Sequence, residues 1–267
     1  MRADLVPDDL WERVALLPPT PERRHRHPGR LRVPDRVALA GVMYVLRTGV
    51  AWRDVPAEAV GCSGVTAWRR LRGTEAGVWP RLHAALLTEL RRASLLDLND
   101  CSVDGSHVRA LKGGGHVGPS PVDRARSGSK HHLIVDRHGT PLAVTLTGGN
   151  RHDVTQLLPL LDAVPSIRGL RGRPRHKPRR LYADRGYDFD KYRRLLWERG
   201  IKPMIARRGV AHGSGLGKVR WVVERAFAWL HQFKRLRIRY ERRADLHQGL
   251  LELACSLICL RRLRASS

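Results

Sequence analysis

The sequence predicts a chain of two parts, an all-helical N-terminal region and a mixed α+β or α/β region. Residues 1–98 contain no convincing run of alternating apolar and polar residues, which is the pattern of a half-buried strand. From Asp100 onward, short apolar runs and amphipathic segments follow one another in the order βββαβαβα. Because a chain of this length can build two cores, we expect a helical domain over residues 1–98 and a second domain over residues 99–267.

The helical region contains a candidate helix-turn-helix. The pattern predicts one helix over residues 35–47, opened by Pro34 and followed by Gly49, and a second over residues 64–72, capped by Ser63. Its second helix would enter the major groove of DNA. The basic side chains that it displays for this purpose are Arg69, Arg70 and Arg72. The connection between the two helices is longer than the compact motif allows.

The second region begins with a predicted three-stranded antiparallel meander. Its strands cover residues 101–108, 130–137 and 140–149, and a turn at His138 and Gly139 joins the last two. A helix near 152–164, an arginine-rich loop, a strand near 179–184, a helix, a strand and a long helix around Glu224 complete the order. This order is typical of ribonuclease H-like folds.

Three acidic residues stand out against this background: Asp104 on the first strand, Asp184 at the end of a later strand, and Glu224 on the long helix. Carboxylates at strand ends and on a facing helix can converge. Mg²⁺ prefers oxygen ligands, and two ions about 3.5–4 Å apart can stabilise both the attacking and the leaving oxygen of a phosphodiester. We interpret the three residues as a candidate two-metal phosphoryl-transfer site.

Each of these carboxylates also has a structural interpretation. Asp104 could be an edge carboxylate, and Asp184, close to Gly186, could cap a helix. Asp136 is a rival ligand, but the sequence DRHG is typical of hairpin turns, so we expect a turn role for it. Asp153 is expected to cap the helix that follows it. Three carboxylates in the right element order favour the catalytic interpretation.

The net charge indicates a polyanionic partner. The chain has 50 Lys and Arg against 25 Asp and Glu, a formal charge of +25. Nucleic acid is the commonest partner of such a chain. A GC-rich genome would explain the excess of Arg over Lys, but it would not explain the net charge. The basic tract over residues 234–243 is a candidate phosphate-binding segment, with Lys234 and Arg235 at its start, although a solvated face is the usual fate of such runs.

The sequence also bears on location and redox chemistry. No apolar run approaches the roughly 20 residues that cross a bilayer, and the N-terminal residues lack a signal-peptide core, so we expect a soluble, cytoplasmic protein. The scattered cysteines are expected to be buried thiols rather than zinc ligands or disulfides. They are Cys62, Cys101, Cys255 and Cys259.

Several segments in series resemble the insertion-sequence transposases of the DDE type, in the IS-five group. The matching segments are LVPDDLWERV, GVAWRDVP, DGSHVRA, GNRHD, YADRGYD and RWVVERAFAWLHQFKRLRIRYE. The resemblance implies a ribonuclease H-like core in which Asp104, Asp184 and Glu224 form the catalytic triad. It also implies two Mg²⁺ or Mn²⁺ ions and action on DNA at the bacterial nucleoid.

The group has a signature around its Glu: Tyr, two residues, Arg, three residues, Glu, six residues, Lys. Arg220 and Glu224 fit it, whereas Gly217 stands at the Tyr position and His231 at the Lys position. On a helix, Arg220, Glu224 and His231 fall on one stripe, so Arg220 and His231 are candidate DNA contacts. His231 would be partly neutral at pH 7, which would weaken a contact to phosphate.

The function predicted from these features is that of a transposase. It would bind the terminal inverted repeats of its own element, cleave phosphodiesters with metal-activated water, and join a 3′-hydroxyl to target DNA as a homodimer or larger assembly. Two alternatives remain open: a repurposed DNA-binding protein without activity, and a nuclease without strand transfer.

Overall fold

The computed structural model describes residues 5–18, 31–73, 77–209 and 217–266. Up to residue 98, every regular element in these ranges is helical, as predicted. The α-helices are α1 (Asp8–Val14), α2 (Asp35–Thr48), α3 (Ala57–Val60), α4 (Gly64–Gly73) and α5 (Val78–Arg92).

Helices α2 and α4 match the two predicted helices of the candidate helix-turn-helix. Helix α2 is capped at its C-terminal end by Gly49, whose φ of 76° is the left-handed conformation that glycine adopts without strain. The backbone N–H of Thr66 donates to Ser63 Oγ at 3.3 Å, which is the expected N-cap. A 3-10 turn at Trp52–Asp54 and helix α3 lie between α2 and α4, so this connection is not the compact turn of a helix-turn-helix.

One mixed sheet forms the second region. Its strands are β1 (Asp100–Ala110), β2 (Gly118–Pro119), β3 (Ser127–Val135), β4 (Pro141–Gly148), β5 (Arg180–Ala183), β6 (Lys202–Ile205) and β7 (Ile238–Arg239). The predicted meander is confirmed, because β1 pairs with β3 and β3 with β4, both antiparallel. Strands β5 and β6 extend the sheet in parallel from β1. The two-residue strands β2 and β7 are too short to leave a sequence pattern.

The remaining helices are α6 (Leu157–Asp162), α7 (Asp190–Glu198), α8 (Gly217–His231) and α9 (Ala244–Arg264). They confirm the predicted order of elements. Helix α8 packs on β1 and β3, which brings the helix that carries Glu224 against the strand that carries Asp104. The position of the catalytic candidates follows from this contact.

The helical region and the sheet region share one continuous hydrophobic core. The apolar face of α5, with Leu82, Leu86 and Leu90 fully buried, packs against α9. The boundary near residue 98 stays a prediction. Separation there would expose these leucines to water, so a fragment ending at residue 98 would lose the partner of its longest helix.

The four cysteines are free and buried, as expected. Burial raises the pKa of the Cys101 and Cys255 thiols well above the usual value, so these thiols are inert packing groups. No helix in the described ranges has both the length and the apolar character needed to cross a membrane.

Candidate active site

The pairing of β1 with β5 brings two of the candidate carboxylates to the same level of the sheet. Ser102 lies opposite Tyr182 in the parallel register, and Asp104 and Asp184 are each two residues further along. Neighbouring strands run about 4.8 Å apart. The structure therefore places Asp104 and Asp184 side by side.

Asp104 is a partly buried carboxylate that faces the guanidinium of Arg220. Its Oδ1 accepts a hydrogen bond from the backbone N–H of Gly105 at 2.8 Å, and its Oδ2 lies 3.5 Å from Nη2 of Arg220. Burial raises the pKa of Asp104 to about 6. The negative charges of Asp184 and Asp153 add to that rise, while the Gly105 N–H and Arg220 oppose it.

Asp184 combines a structural contact with its place at the site. It precedes a 3-10 turn at Arg185–Tyr187 and accepts the backbone N–H of Gly186 at 2.8 Å, so the capping role weighed from the sequence is present. Tyr187, on the same turn, is buried. Burial raises the pKa of the Tyr187 hydroxyl well above its usual value, and the charges of Asp104, Asp153 and Asp184 raise it further. Negative charge is therefore concentrated around this tyrosine.

Glu224 is linked to Asp104 by an arginine that faces both carboxylates. Its side chain, on α8, is 64% exposed, and Oε1 lies 3.5 Å from Nη2 of Arg220, the same nitrogen that faces Asp104. Within the described ranges, no three His, Cys, Asp or Glu side chains lie close enough together to hold one metal ion. The structure thus brings Asp104 and Asp184 together and links Glu224 to Asp104 through the guanidinium of Arg220.

A fourth carboxylate, Asp153, lies beside Asp104, and the sequence interpretation missed it. The expectation that Asp153 caps the next helix is wrong: His152 precedes the turn, and Asp153 Oδ1 lies 3.0 Å from Lys130 Nζ. A Cβ on Gly105 would lie 2.9 Å from that oxygen, so a larger residue there would require the Asp153 side chain to shift. A glycine inside a strand, directly after a candidate catalytic residue, is the signal that could have indicated this close approach.

The three arginines predicted on the DNA-reading helix have different roles. Arg69 and Arg72 are exposed on α4. Arg70 instead forms an ion pair with Asp35 and donates to the backbone carbonyl of Val33 at 3.1 Å. We correct the prediction for Arg70, because its half-buried guanidinium is held within the helical region and does not face DNA.

The two candidate DNA-binding residues of the basic tract after α8 lie in different environments. Lys234 is exposed. Arg235 is only 4% exposed and forms a salt bridge of 2.6 Å with Glu241, so the prediction that Arg235 contacts DNA is wrong. The position of Arg235 within a run of basic residues did not indicate that it would be buried against Glu241.

His231 is a half-buried ring. It lies against Phe227 and His131, with ring centroids 6.3 and 6.5 Å away, and its Nε2 is buried without a hydrogen-bond partner. Burial and, secondarily, Arg237 lower the pKa of His231. The ring is therefore neutral at pH 7, which disfavours the predicted contact to phosphate.

Two family models match the chain. Residues 97–259 match the transposase DDE domain, and residues 6–83 match a putative transposase of the IS4/5 family. The DDE match spans more than half of the chain.

The chain is also similar to individual proteins of mobile elements. It is 65% identical to the putative transposase of insertion sequence element IS402 from Burkholderia cepacia over 148 residues, covering 55% of this chain and 70% of that protein. It is 49% identical to an uncharacterized 16.2 kDa protein of the same element over 124 residues, covering 45% of this chain and 84% of that protein.

Among solved structures, the Mos1 strand transfer complex aligns with 92% of this chain and 81% of its own at 12% identity, with a TM-score of 0.33. A TM-score of this size does not establish a common fold. The family models and the IS402 relative do establish the family: the chain belongs to the DDE transposases.

Proposed function

We propose that this transposase binds the terminal inverted repeats of its own insertion sequence, cleaves the DNA there, and joins the resulting 3′-hydroxyl to target DNA at one active site. The observation that carries the proposal is the β1–β5 register, which sets Asp104 beside Asp184. Glu224 on α8 is the third member of the triad. A ribonuclease H-like core is the fold that fits this order of elements.

The donor set fits divalent metal ions. Asp104 and Asp184 offer hard carboxylate oxygens, and the raised pKa of Asp104 reports buried negative charge that a cation would relieve. Asp104 and Asp184 would hold Mg²⁺ or Mn²⁺, and Glu224 would complete the site for a second ion. When bound, such ions polarise a phosphodiester and lower the pKa of bound water.

Arg220 gives the site its own positive charge. Its guanidinium faces both Asp104 and Glu224, so it orients the two side chains and screens their repulsion. A planar guanidinium can also bind a phosphate oxygen. We therefore assign Arg220 to neutralising Asp104 and Glu224 while no metal is bound, and to contacting the DNA strand that enters the site.

DNA recognition is assigned to the surface of α4. Arg69 and Arg72 are exposed there and fit contacts to base edges or phosphates, and Lys234 provides a further cation for the backbone. Two transposon ends must meet for strand transfer, so we propose that the active assembly is a homodimer or larger.

The test uses the full chain with a labelled end fragment and Mg²⁺. Asp104→Asn, Asp184→Asn and Glu224→Gln keep side-chain shape but remove negative charge, so each should lower cleavage by orders of magnitude while end binding persists. Asp190→Asn is the control, because that carboxylate is 81% exposed and pairs with the exposed Arg207. Near-wild-type cleavage by any one triad variant would refute the assignment.

A second measurement separates the alternatives. Wild-type protein is given a donor end with a free 3′-hydroxyl and a plasmid target. Joined product identifies a transposase, and cleavage without joining identifies a nuclease. Binding of ends without cleavage identifies a repurposed DNA-binding protein.

A further inference from the structure

The segment between α6 and β5 concentrates positive charge. Residues 168–179, called here the arginine loop, contain Arg168, Arg171, Arg173, Arg175 and Arg179 together with His176 and Lys177, and contain no acidic residue. Such a density of like charge costs repulsion unless a counter-charge is nearby. The arginine loop therefore favours a negatively charged partner, because the described part of the chain supplies only some of the counter-charge.

The arginine loop is held in shape by neutral acceptors. Ile167 and Arg175 exchange backbone hydrogen bonds of 2.8 and 2.9 Å, and the Arg175 guanidinium donates to Asn99 Oδ1 at 3.3 Å. Lys177 Nζ donates to the carbonyl of Arg199 at 2.6 Å. These contacts fix the loop without neutralising it.

Two arginines just outside the loop have acidic partners, whereas the exposed arginines of the loop have none among the described residues. Arg180 pairs with the buried carboxylate of Asp100, and Arg199 pairs with Asp162. Four arginines of the loop are instead exposed, and none of them has an ion pair within the described part of the chain. These four are Arg168, Arg171, Arg173 and Arg179.

Two of the exposed arginines, Arg173 and Arg179, border a cleft of about 580 Å³. Arg173, Arg175, Lys177 and Arg179 line it, and no acidic side chain does. A concave surface with one sign of charge focuses its field on an anion of matching shape. Phosphate groups along a nucleic acid backbone have this chemistry.

The arginine loop lies at the end of the sheet opposite to the catalytic candidates. Arg180 starts β5 beside Asp100, and Asp184 follows the last residue of the same strand. Four residues of strand span about 13 Å. Phosphates seated on the loop are therefore not the phosphates that react at Asp104 and Asp184.

We propose that the arginine loop binds the phosphate backbone of a DNA segment separate from the reacting one. The proposal rests on the proposed function, in which the carboxylate end of the sheet receives the transposon end. The ligand chemistry is a run of phosphodiesters. Its source is either a distal part of the end DNA or the target duplex.

The experiment compares two full-length variants that each lose two positive charges. Arg173→Gln with Arg179→Gln alters the cleft, and Lys191→Gln with Arg194→Gln alters positions on α7 that are exposed and have no ion pair within the described residues. Binding is measured over roughly 50–200 mM salt, where each neutralised phosphate adds about 0.9 to the slope of log K against log salt. The loop variant should show a slope whose magnitude is smaller than that of wild type by about 2, and the control should differ from wild type much less.

The probes identify the source. One is a duplex carrying the element's end, and the other is a duplex of arbitrary sequence offered to protein already bound to the end. A smaller magnitude of the slope with the first probe assigns the arginine loop to the end DNA. A smaller magnitude with the second probe assigns it to the target duplex. Equal slopes for the loop variant and the control with both probes would overturn the proposal.

The two proposals fail in different ways. Cleavage of the end fragment by wild-type protein in Mg²⁺ tests the proposed function and does not depend on the arginine loop. Circular dichroism melting of both double variants should match wild type, since the altered side chains are exposed, so a change in slope reports binding rather than folding.

Discussion

Arg220 Nη2 lies 3.5 Å from Asp104 Oδ2, so the chain places its own cation beside the carboxylate assigned to metal binding. This positive charge lowers the pKa of Asp104 against the effect of burial, and it would compete with a bound metal ion for the same oxygen. Arg220→Gln removes the competitor. Near pH 8, where Asp104 is ionised in both proteins, we expect tighter Mn²⁺ binding by the variant, measured by titration with electron paramagnetic resonance.

The control for this prediction keeps the charge. Arg220→Lys should bind Mn²⁺ with an affinity close to that of wild type. Weaker binding by the Gln variant would show that Arg220 supports the metal site, contrary to the competition argued from the geometry.

Asp104 should destabilise the metal-free protein at neutral pH. Its folded pKa of about 6 lies above the usual 3.8, so its contribution to stability is full below the unfolded value and is lost as pH rises through about 6. Asp104→Asn should therefore raise the free energy of unfolding near pH 7 by ~1–3 kcal/mol, and by little near pH 4.

Urea unfolding with a chelator present, at both pH values, measures this effect. Asp190→Asn, at an exposed position, should change little at either pH. Equal stability of the Asp104 variant and wild type near pH 7 would mean that burial does not perturb this carboxylate.

Neighbouring arginines on α4 should separate DNA binding from stability. Arg69→Ala with Arg72→Ala removes exposed charge, so affinity for end DNA and its salt dependence should fall while the melting temperature stays close to wild type. Arg70→Ala should lower stability, because it removes the ion pair with Asp35 and the hydrogen bond to the Val33 carbonyl. Gel shifts and thermal melts distinguish the two outcomes, and a stable Arg70 variant that fails to bind DNA would reverse these roles.

Patterns local in sequence predicted the elements well. The hairpin role of Asp136 is confirmed, since its carboxylate accepts the backbone N–H groups of His138 and Thr140 at 2.9 and 2.7 Å. Turn residues, caps and alternation act over a few positions, so a single sequence contains them. The order of strands and helices, and with it the placement of Asp104 beside Asp184, followed from such signals.

Contacts between distant segments were not predictable in this way. Arg235 belongs to a charge run, yet it binds Glu241 in the core and donates to the Val50 carbonyl at 3.0 Å. Asp153 approaches Gly105 from the 3-10 turn at Asp153–Gln156. Whether a charged side chain is buried depends on tertiary packing, and the spacing of charges along the chain does not encode it.

A buried chain of polar groups joins the helical region to the sheet, and Glu241 is its centre. Arg235 Nη2 lies 2.6 Å and His247 Nδ1 3.3 Å from the Glu241 carboxylate, while His247 Nε2 lies 2.9 Å from Nε2 of His131 on β3. Burial would raise the pKa of Glu241, but the hydrogen bond from His247 and the charge of Arg235 outweigh it and lower the pKa to about 2.

Glu241→Gln should therefore destabilise the protein strongly. The variant leaves the guanidinium of Arg235 buried without its counter-charge, which typically costs about 3–5 kcal/mol. Because the folded pKa of Glu241 is depressed, its contribution is present above the unfolded value near 4.5 and is lost as pH falls through about 2. The difference in the free energy of unfolding between wild type and variant should thus become smaller in acid, as urea unfolding at several pH values would measure.

Asp245→Asn is the matched control, since its pair with Arg243 is exposed and should contribute less than about 1 kcal/mol. If both variants lost equally little, the buried chain would not hold the two regions together.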